Sequence, residues 1–155
     1  HMIDSYLSFA RGEGAETPVP VELSVFLQDI VASARRAGAH IQAVSVQKGL
    51  SATMRPNAIR RAVMNLLDNA RRHDASIILT ARNTPEGVCI LVDDNGPGIS
   101  PERRDTVFRA FESGRGGGTG LGLTISRDII RAHGGEMELH DSPQGGLRVR
   151  ILLPA

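Results

Sequence analysis

Apolar and polar positions alternate along the chain in two periods, one of about 3.6 residues and one of 2, and so predict helices and strands in turn. The most informative stretch is residues 56–73. Ile59, Val63, Leu66, Leu67 and Ala70 recur there at helical spacing and form a stripe for a core. At roughly 100° per residue, Asn65, Asn69, Arg72 and His73 fall on a separate stripe. Asn is a mediocre helix former, because its amide competes for backbone groups. Two of them one turn apart, with a cation a turn later, suggest a hard metal beside an anion. An amide oxygen suits Mg²⁺, which takes oxygen ligands and often shares its shell with substrate phosphates. A solvated helix face carrying two Asn is the plainer alternative. Pro56 suits the first turn of this helix.

On one side of residues 23–37 lie Leu23, Phe26, Leu27, Ile30, Val31 and Ala34, which predicts a helix stopped by Gly38. Residues 41–47 alternate as a half-buried strand does, and a short strand is expected near 51–54. Two strands follow the central helix, 76–82 and the near-continuously apolar 88–92, joined by a turn at 83–87. A short helix is expected over 101–111 and a longer one over 121–133, closed by Gly134 and Gly135. Residues 136–140 and 147–153 read as a hairpin around a turn at 142–146. Near the start, Ile3, Tyr6, Leu7 and Ala10 share one face of a helix too short to stand alone. It reads as the stump of a longer helix, after a cloning remnant at His1-Met2, and 17–20 reads as a stiff connector. The sum is an α/β fold, a two-layer sandwich with a mixed sheet of about five strands and about three helices on one face.

Composition narrows the class. The 155 residues are 41% hydrophobic and 23% charged with a formal net charge of +1, which does not suggest a nucleic-acid binder or a disordered tail. Aromatic residues are 3% of the chain, so the core must be built from Ile, Leu, Val and Ala. One cysteine, Cys89, excludes a disulfide framework and fits a reduced compartment. No run approaches the roughly 20 apolar residues of a membrane span, and no signal peptide is visible.

Glycines are clustered, and two clusters carry candidate chemistry. Asp94-Asn95-Gly96-Pro97-Gly98 ends a buried strand. A carboxylate there can accept a hydrogen bond from an exocyclic amine such as adenine N6, and the glycines let backbone approach a flat ring. A plain turn is the alternative. The second cluster, Gly114 to Gly122, runs into an amphipathic helix (Leu121, Ile125, Ile129), so freed backbone amides at a helix start make an anion site. It is neither a P-loop nor a dinucleotide fingerprint; a flexible linker is the alternative. Phe108 and Phe111, between the clusters, suit either a core or the hinge of a lid. His40, His133 and His140 show no metal-ligand spacing.

Taken in order, these pieces resemble the catalytic, ATP-binding domain of bacterial two-component sensor histidine kinases. Asn65 to His73 resembles the N box, Asp94-x-Gly96-x-Gly98 the G1 box, Phe108-x-x-Phe111 the F box and Gly118-Thr119-Gly120-Leu121-Gly122-Leu123 the G2 box. The resemblance implies a Bergerat-type sandwich that binds ATP and Mg²⁺. It implies Asn69 as the Mg²⁺ ligand, with Asn65 supporting it or contacting phosphate. It implies Arg72 at the phosphates and His73 beside the nucleotide. Asp94 would bind the adenine amine, with Gly96, Gly98 and Ile99 shaping the base pocket. Gly118, Gly120 and Gly122 would line the triphosphate within the Thr119-containing G2 motif, with Leu121 and Leu123 beside them.

The resemblance also divides the chain into residues 1–16, the remnant and the end of a dimerisation helix, and 17–155, the catalytic domain. It implies γ-phosphoryl transfer to a histidine on a dimerisation domain outside this chain, then onward to a response regulator. The fragment would be a monomer in the cytoplasm without membrane contact; the parent would be a homodimer anchored in the inner membrane. Residues 145–150 and 6–12 are similar to osmosensor-type kinases acting on winged-helix response regulators. Two features depart from the family. The span from Phe111 to Gly118 is short, with Glu112-Ser113 after the F box and Arg115 as its only cation. No histidine sits in a phosphoacceptor context either. The rival readings are an ATP-hydrolysing switch of the same superfamily, a serine kinase of the anti-sigma type, and a nucleotide-binding signalling module without activity. Against the hydrolysing switch, Asn65 stands where those ATPases place a glutamate base.

Overall fold

A computed structural model describes residues 16–104 and 118–154. The chain opens with strand β1 (Val19–Glu22), followed by helix α1 (Leu23–Arg36), β2 (His40–Val46) and β3 (Ser51–Met54). Helix α2 (Pro56–Arg72) leads to β4 (Ser76–Thr84) and β5 (Gly87–Asp94). Helix α3 (Gly118–Ala132) and the pair β6 (Glu136–Asp141) and β7 (Leu147–Leu153) complete the described chain. The main sheet has five strands in the order β2-β4-β5-β7-β6, and β1 pairs with β3 in a separate two-stranded sheet. Only β2 and β4 run parallel; the other neighbours of the main sheet are antiparallel.

Period-2 patterning decides which face of the sheet meets the helices. Ile77, Leu79 and Ala81 of β4, Val88, Ile90 and Val92 of β5, and Val149, Ile151 and Leu153 of β7 join one core cluster. To the same cluster α1 brings Leu23, Leu27 and Ile30, α2 brings Ile59, Val63, Leu66 and Leu67, and α3 brings Ile125, Ile129 and Ile130. The result is the two-layer sandwich expected from the pattern, with aliphatic side chains in place of aromatics. On the other face of the sheet Cys89, Leu91 and Asp93 are also buried. Their cross-strand neighbours Arg82, Arg150 and Arg148 flank them, and arginine stems cover apolar surface while their heads stay wet. Asp93 is paired there with Arg148 in a two-pronged contact of 2.6 and 3.0 Å. The hydrogen bond that Arg148 donates to Asp93 is the main reason that Arg148 titrates above its ordinary range.

The structure corrects the element boundaries in three places. Residues 17–20, read as a connector, lead into and partly form β1, with Pro20 opposite Thr53. Prolines argued against a strand, but a two-stranded ribbon tolerates the missing N–H. β4 runs to Thr84, into the expected turn. Helix α3 begins at Gly118 rather than at residue 121. Of the short helix expected over 101–111, residues 101–104 are helical; the rest of it and the stump at 3–13 lie outside the described residues. Helix α2 closes as a helix should. His73 is its C-cap, Asp74 takes a left-handed φ of 53°, and Ala75 N–H returns to Ala70 O at 3.0 Å.

One glycine is required by space. A Cβ on Gly135, between α3 and β6, would stand 2.1 Å from the Leu152 carbonyl oxygen. Gly135→Ala must therefore push the hairpin from the helix, and overpacking of this kind costs about 1–3 kcal/mol. Urea denaturation should show a lowered midpoint with an unchanged slope; an unchanged midpoint would mean that this junction yields freely.

Candidate functional site

The site forms where β5 ends. Asp94 lies on the helix-facing side of the sheet and is 9% exposed. Its Oδ1 accepts two backbone hydrogen bonds, from Gly96 N–H and Leu147 N–H, both at 2.9 Å. Its main-chain carbonyl accepts from Gly146 N–H at 3.1 Å. Asn95 ties the same corner to the start of β4, since its Oδ1 accepts from Ser76 N–H at 2.8 Å. Three strand ends thus meet at one corner, and two of them, the end of β5 and the start of β7, are joined by the carboxylate. A buried carboxylate without such donors would be costly, and both bonds fall on the same oxygen.

Beside this corner is a cleft lined by Asn69, His73, Asp94, Pro97, Gly98, Ile99 and Leu147. Helix α2 supplies Asn69 and His73 at i and i+4, so both reach the same side. The Asn69 side-chain oxygen is buried and has no hydrogen-bond partner. A buried amide oxygen left alone costs free energy, so this one calls for a donor or a cation from a ligand. Among the described residues no group of three or more His, Cys, Asp or Glu could hold a metal. A hard cation held by Asn69 would therefore draw its other ligands from phosphate and water, as Mg²⁺ commonly does.

Of the residues expected in the site, Asn69, His73, Asp94, Gly98 and Ile99 come together in this cleft. Gly96 adjoins it and donates to Asp94; a Cβ there would press on Ala75 at 3.3 Å and Asp94 Oδ1 at 3.4 Å. Asn65 is half-buried one turn earlier and is not among the lining residues. Arg72 points elsewhere: it pairs with Asp68 at 3.2 Å, and Asp68 also holds Arg71 at 2.6 Å. Leu123, expected beside the phosphates, is 1% exposed and belongs to the core. Gly118, Thr119, Gly120, Leu121 and Gly122 form the first turn and a half of α3, described in its backbone alone. A helix start leaves backbone N–H groups without an intrahelical partner. Arg115, Phe108 and Phe111 lie outside the described residues.

Sequence reasoning missed Gly146 and Leu147. The first was read as part of a hairpin turn and the second as the start of a strand, yet they close the site from the far side. A Cβ on Gly146 would stand 2.2 Å from Asp94 Oδ1 and 2.6 Å from Gly96 N. Any other residue would displace the carboxylate. The available signal was the doubled glycine, Gly145-Gly146, where a turn needed only one.

Known proteins are similar to this chain in sequence and in fold. Residues 54–155 match the family described as histidine kinase-, DNA gyrase B- and HSP90-like ATPase. The sensor histidine kinase GtrS of Pseudomonas aeruginosa is 44% identical over 102 residues, 64% of this chain and 22% of GtrS. The chain thus spans less than a quarter of the length of that relative. The crystal structure of the ATP-binding domain of PrrB from Mycobacterium tuberculosis is 30% identical, with a TM-score of 0.73 over 90% of this chain and 98% of that one. Full-length ShkA in complex with AMPPNP is 27% identical, with a TM-score of 0.78 over 99% of this chain and 36% of ShkA. With its Asp94 corner, its asparagine-bearing helix and its glycine-started helix arranged in this way, the chain belongs to the histidine kinase-, DNA gyrase B- and HSP90-like ATPase family.

Proposed function

We propose that this chain is the catalytic, ATP-binding domain of a sensor histidine kinase. The observation that carries the proposal is the cleft in which the unpartnered oxygen of Asn69 sits with Asp94. Asp94 Oδ1 is committed to two backbone donors, which leaves Oδ2 for the adenine amine. Gly98 and Ile99 would flank the base, and His73 would lie beside the nucleotide. The amides at the start of α3, from Gly118 to Gly122, would receive the phosphates, with Leu121 alongside and Arg115 as a further cation. Arg72 would have to exchange Asp68 for phosphate, a small cost because exposed ion pairs are weak. Mg²⁺ would be held by Asn69, with Asn65 in support, and would neutralise phosphate charge. Positioning and charge neutralisation are most of what phosphoryl transfer requires.

The acceptor in this reading is a histidine on a dimerisation domain of the same parent, which passes the group to a response regulator. GtrS, a sensor histidine kinase by name, supports this. The hydrolysing alternative is disfavoured by Asn65, which cannot take a proton usefully at neutral pH. The osmosensor subtype rests on residues 145–150 and on residues 6–12, the latter outside the described residues. A cytoplasmic domain of a membrane-anchored homodimer fits the same reading; among the described residues no helix is long and apolar enough to cross a membrane.

Three outcomes follow from this reading. Asn69→Ala should weaken Mg²⁺-dependent ATP binding by roughly tenfold, the scale of one lost bond to a charged group. Titration of a fluorescent ATP analogue with and without Mg²⁺ checks this, and an unchanged Mg²⁺ dependence would remove Asn69 as the ligand. Guanine nucleotides should bind roughly a hundredfold more weakly than adenine nucleotides, because Asp94 would face the carbonyl oxygen of guanine and leave buried groups unpaired. Asp94→Asn should lose ATP affinity while the protein stays folded; comparable ATP and GTP affinities in calorimetry would end that role for Asp94.

The third outcome concerns transfer. Incubated with γ-labelled ATP, the protein should not label itself, and addition of the parent's dimerisation helices should give slow labelling of the added piece. The rate should be low because mixing lacks the effective concentration that a tether supplies. The product should be acid-labile and base-stable, as a phosphohistidine is. Strong self-labelling, or an acid-stable product, would replace the histidine kinase by a serine kinase.

A further inference from the structure

The far end of the helix pair carries a junction that the cleft does not use. Helices α2 and α3 run antiparallel. Arg55, the N-cap of α2, donates its backbone N–H at 3.0 Å to Nε2 of His133, just past the end of α3. Acceptance at Nε2 places the proton of a neutral imidazole on Nδ1, which donates to Ile129 O at 2.8 Å. Midway along the pair, the buried Ser126 hydroxyl donates to Ala62 O at 2.9 Å. The end of α2 that carries Asn69 therefore lies beside the start of α3, the glycine segment.

Glu16 completes the junction from outside both helices. Its two carboxylate oxygens accept from the N–H groups of Asn57 at 3.0 Å and Ala58 at 3.2 Å, 41 and 42 positions away in sequence. Its main-chain carbonyl accepts from Arg55 Nε at 2.7 Å. Arg55 offers no side-chain cap to its own helix, so Glu16 supplies it. Two unpaired N–H groups are satisfied, and a negative charge sits at the positive end of the helix dipole. Glu16 also lies outside residues 54–155, the span that matches the family.

We infer that Glu16 is a positioning residue for the nucleotide site, acting through the junction that fixes the far ends of α2 and α3. The inference rests on the ATP-binding reading. Two rigid antiparallel helices tied at one end and bridged in the middle have their spacing at the other end set by the tie. That spacing is the distance between Asn69 and the glycine start of α3, the two sides between which a triphosphate would lie. Glu16 bonds Arg55 and the first turn of α2, so its release loosens Arg55, whose N–H makes the tie to His133 about 20 Å from Asn69 along the helix. Because coupling between sites is reciprocal, nucleotide held at one end must tighten the cap at the other.

The experiment compares the unaltered protein with Glu16→Ala and Glu16→Gln. It measures AMPPNP affinity with Mg²⁺ by calorimetry and amide hydrogen exchange at Asn57 and Ala58 by NMR, with and without AMPPNP. In the unaltered protein, AMPPNP should slow exchange at both amides. Glu16→Ala should weaken AMPPNP binding roughly fivefold, at the lower end of typical coupling, and abolish the slowing. Glu16→Gln keeps an acceptor oxygen and should fall between; it carries the test alone if Glu16→Ala does not fold. A purely structural cap would alter exchange equally with and without nucleotide. A folded variant of unaltered affinity, or exchange at Asn57 and Ala58 indifferent to AMPPNP, would overturn the positioning role and leave ATP binding intact. Failure of the unaltered protein to bind AMPPNP would overturn both.

Discussion

The buried carboxylate of Asp94 is the constraint on which the site depends. It ends a strand with no exposed side chain along its length, and an acid so placed must find donors or disrupt the corner. It finds them in Gly96 N–H, from the turn that follows, and Leu147 N–H, from the neighbouring strand. These bonds fix where the base-side loop leaves the sheet and where β7 enters it. They also dictate residue choice at a distance, because Gly146 can pass the carboxylate only without a side chain. The site is thus part of the sheet's own termination, and rigid for that reason.

The one-sided sheet sets the rest. Helices cover one face, so successive residues of β5 meet different worlds: Asp94 looks into the cleft, while Asp93 looks away and is neutralised by Arg148. Both acids are buried, and they are satisfied by different means. Backbone amides hold Asp94, and both of them bond Oδ1. A guanidinium cancels the charge of Asp93, which makes it structural. Breaking such a pair by removing one partner is more costly than the pair is worth as a stabiliser.

This division explains how much the sequence disclosed. The core stripe of α2, the alternation of β4 and β7 and the apolar run of β5 were legible because each is a periodic signal from a buried face. Asn69 and Asp94 were legible because polar groups at such positions contradict their surroundings. Residues whose roles arise from contacts between distant segments were not. Leu147 serves through its backbone, which no side chain advertises. Gly146 looked like turn chemistry. Arg72 is a local case: it shares a helical stripe with Asn69 and pairs with Asp68 one turn back. Leu123, inside a glycine-rich motif, falls on the apolar face of α3 and is taken by the core. β1 was hidden by its prolines, whose penalty is small in a two-stranded ribbon.

The cleft's own chemistry then limits what the chain does alone. Of the residues lining it, only His73 and Asp94 can titrate. Asp94 already accepts two amide hydrogen bonds through Oδ1, which commits that oxygen to the corner. His73 caps α2 from an exposed position, where water competes for any proton it would move. Asn65 and Asn69 carry no proton that moves at neutral pH. In the proposed reading, the described lining residues would bind and orient a nucleotide and offer little to activate a nucleophile. A nucleophile brought by another domain needs no activation here beyond placement, since a neutral imidazole is already competent to attack. Water would need a base. In the proposed ATP-binding reading, a cleft with these lining residues would favour transfer to an acceptor over hydrolysis.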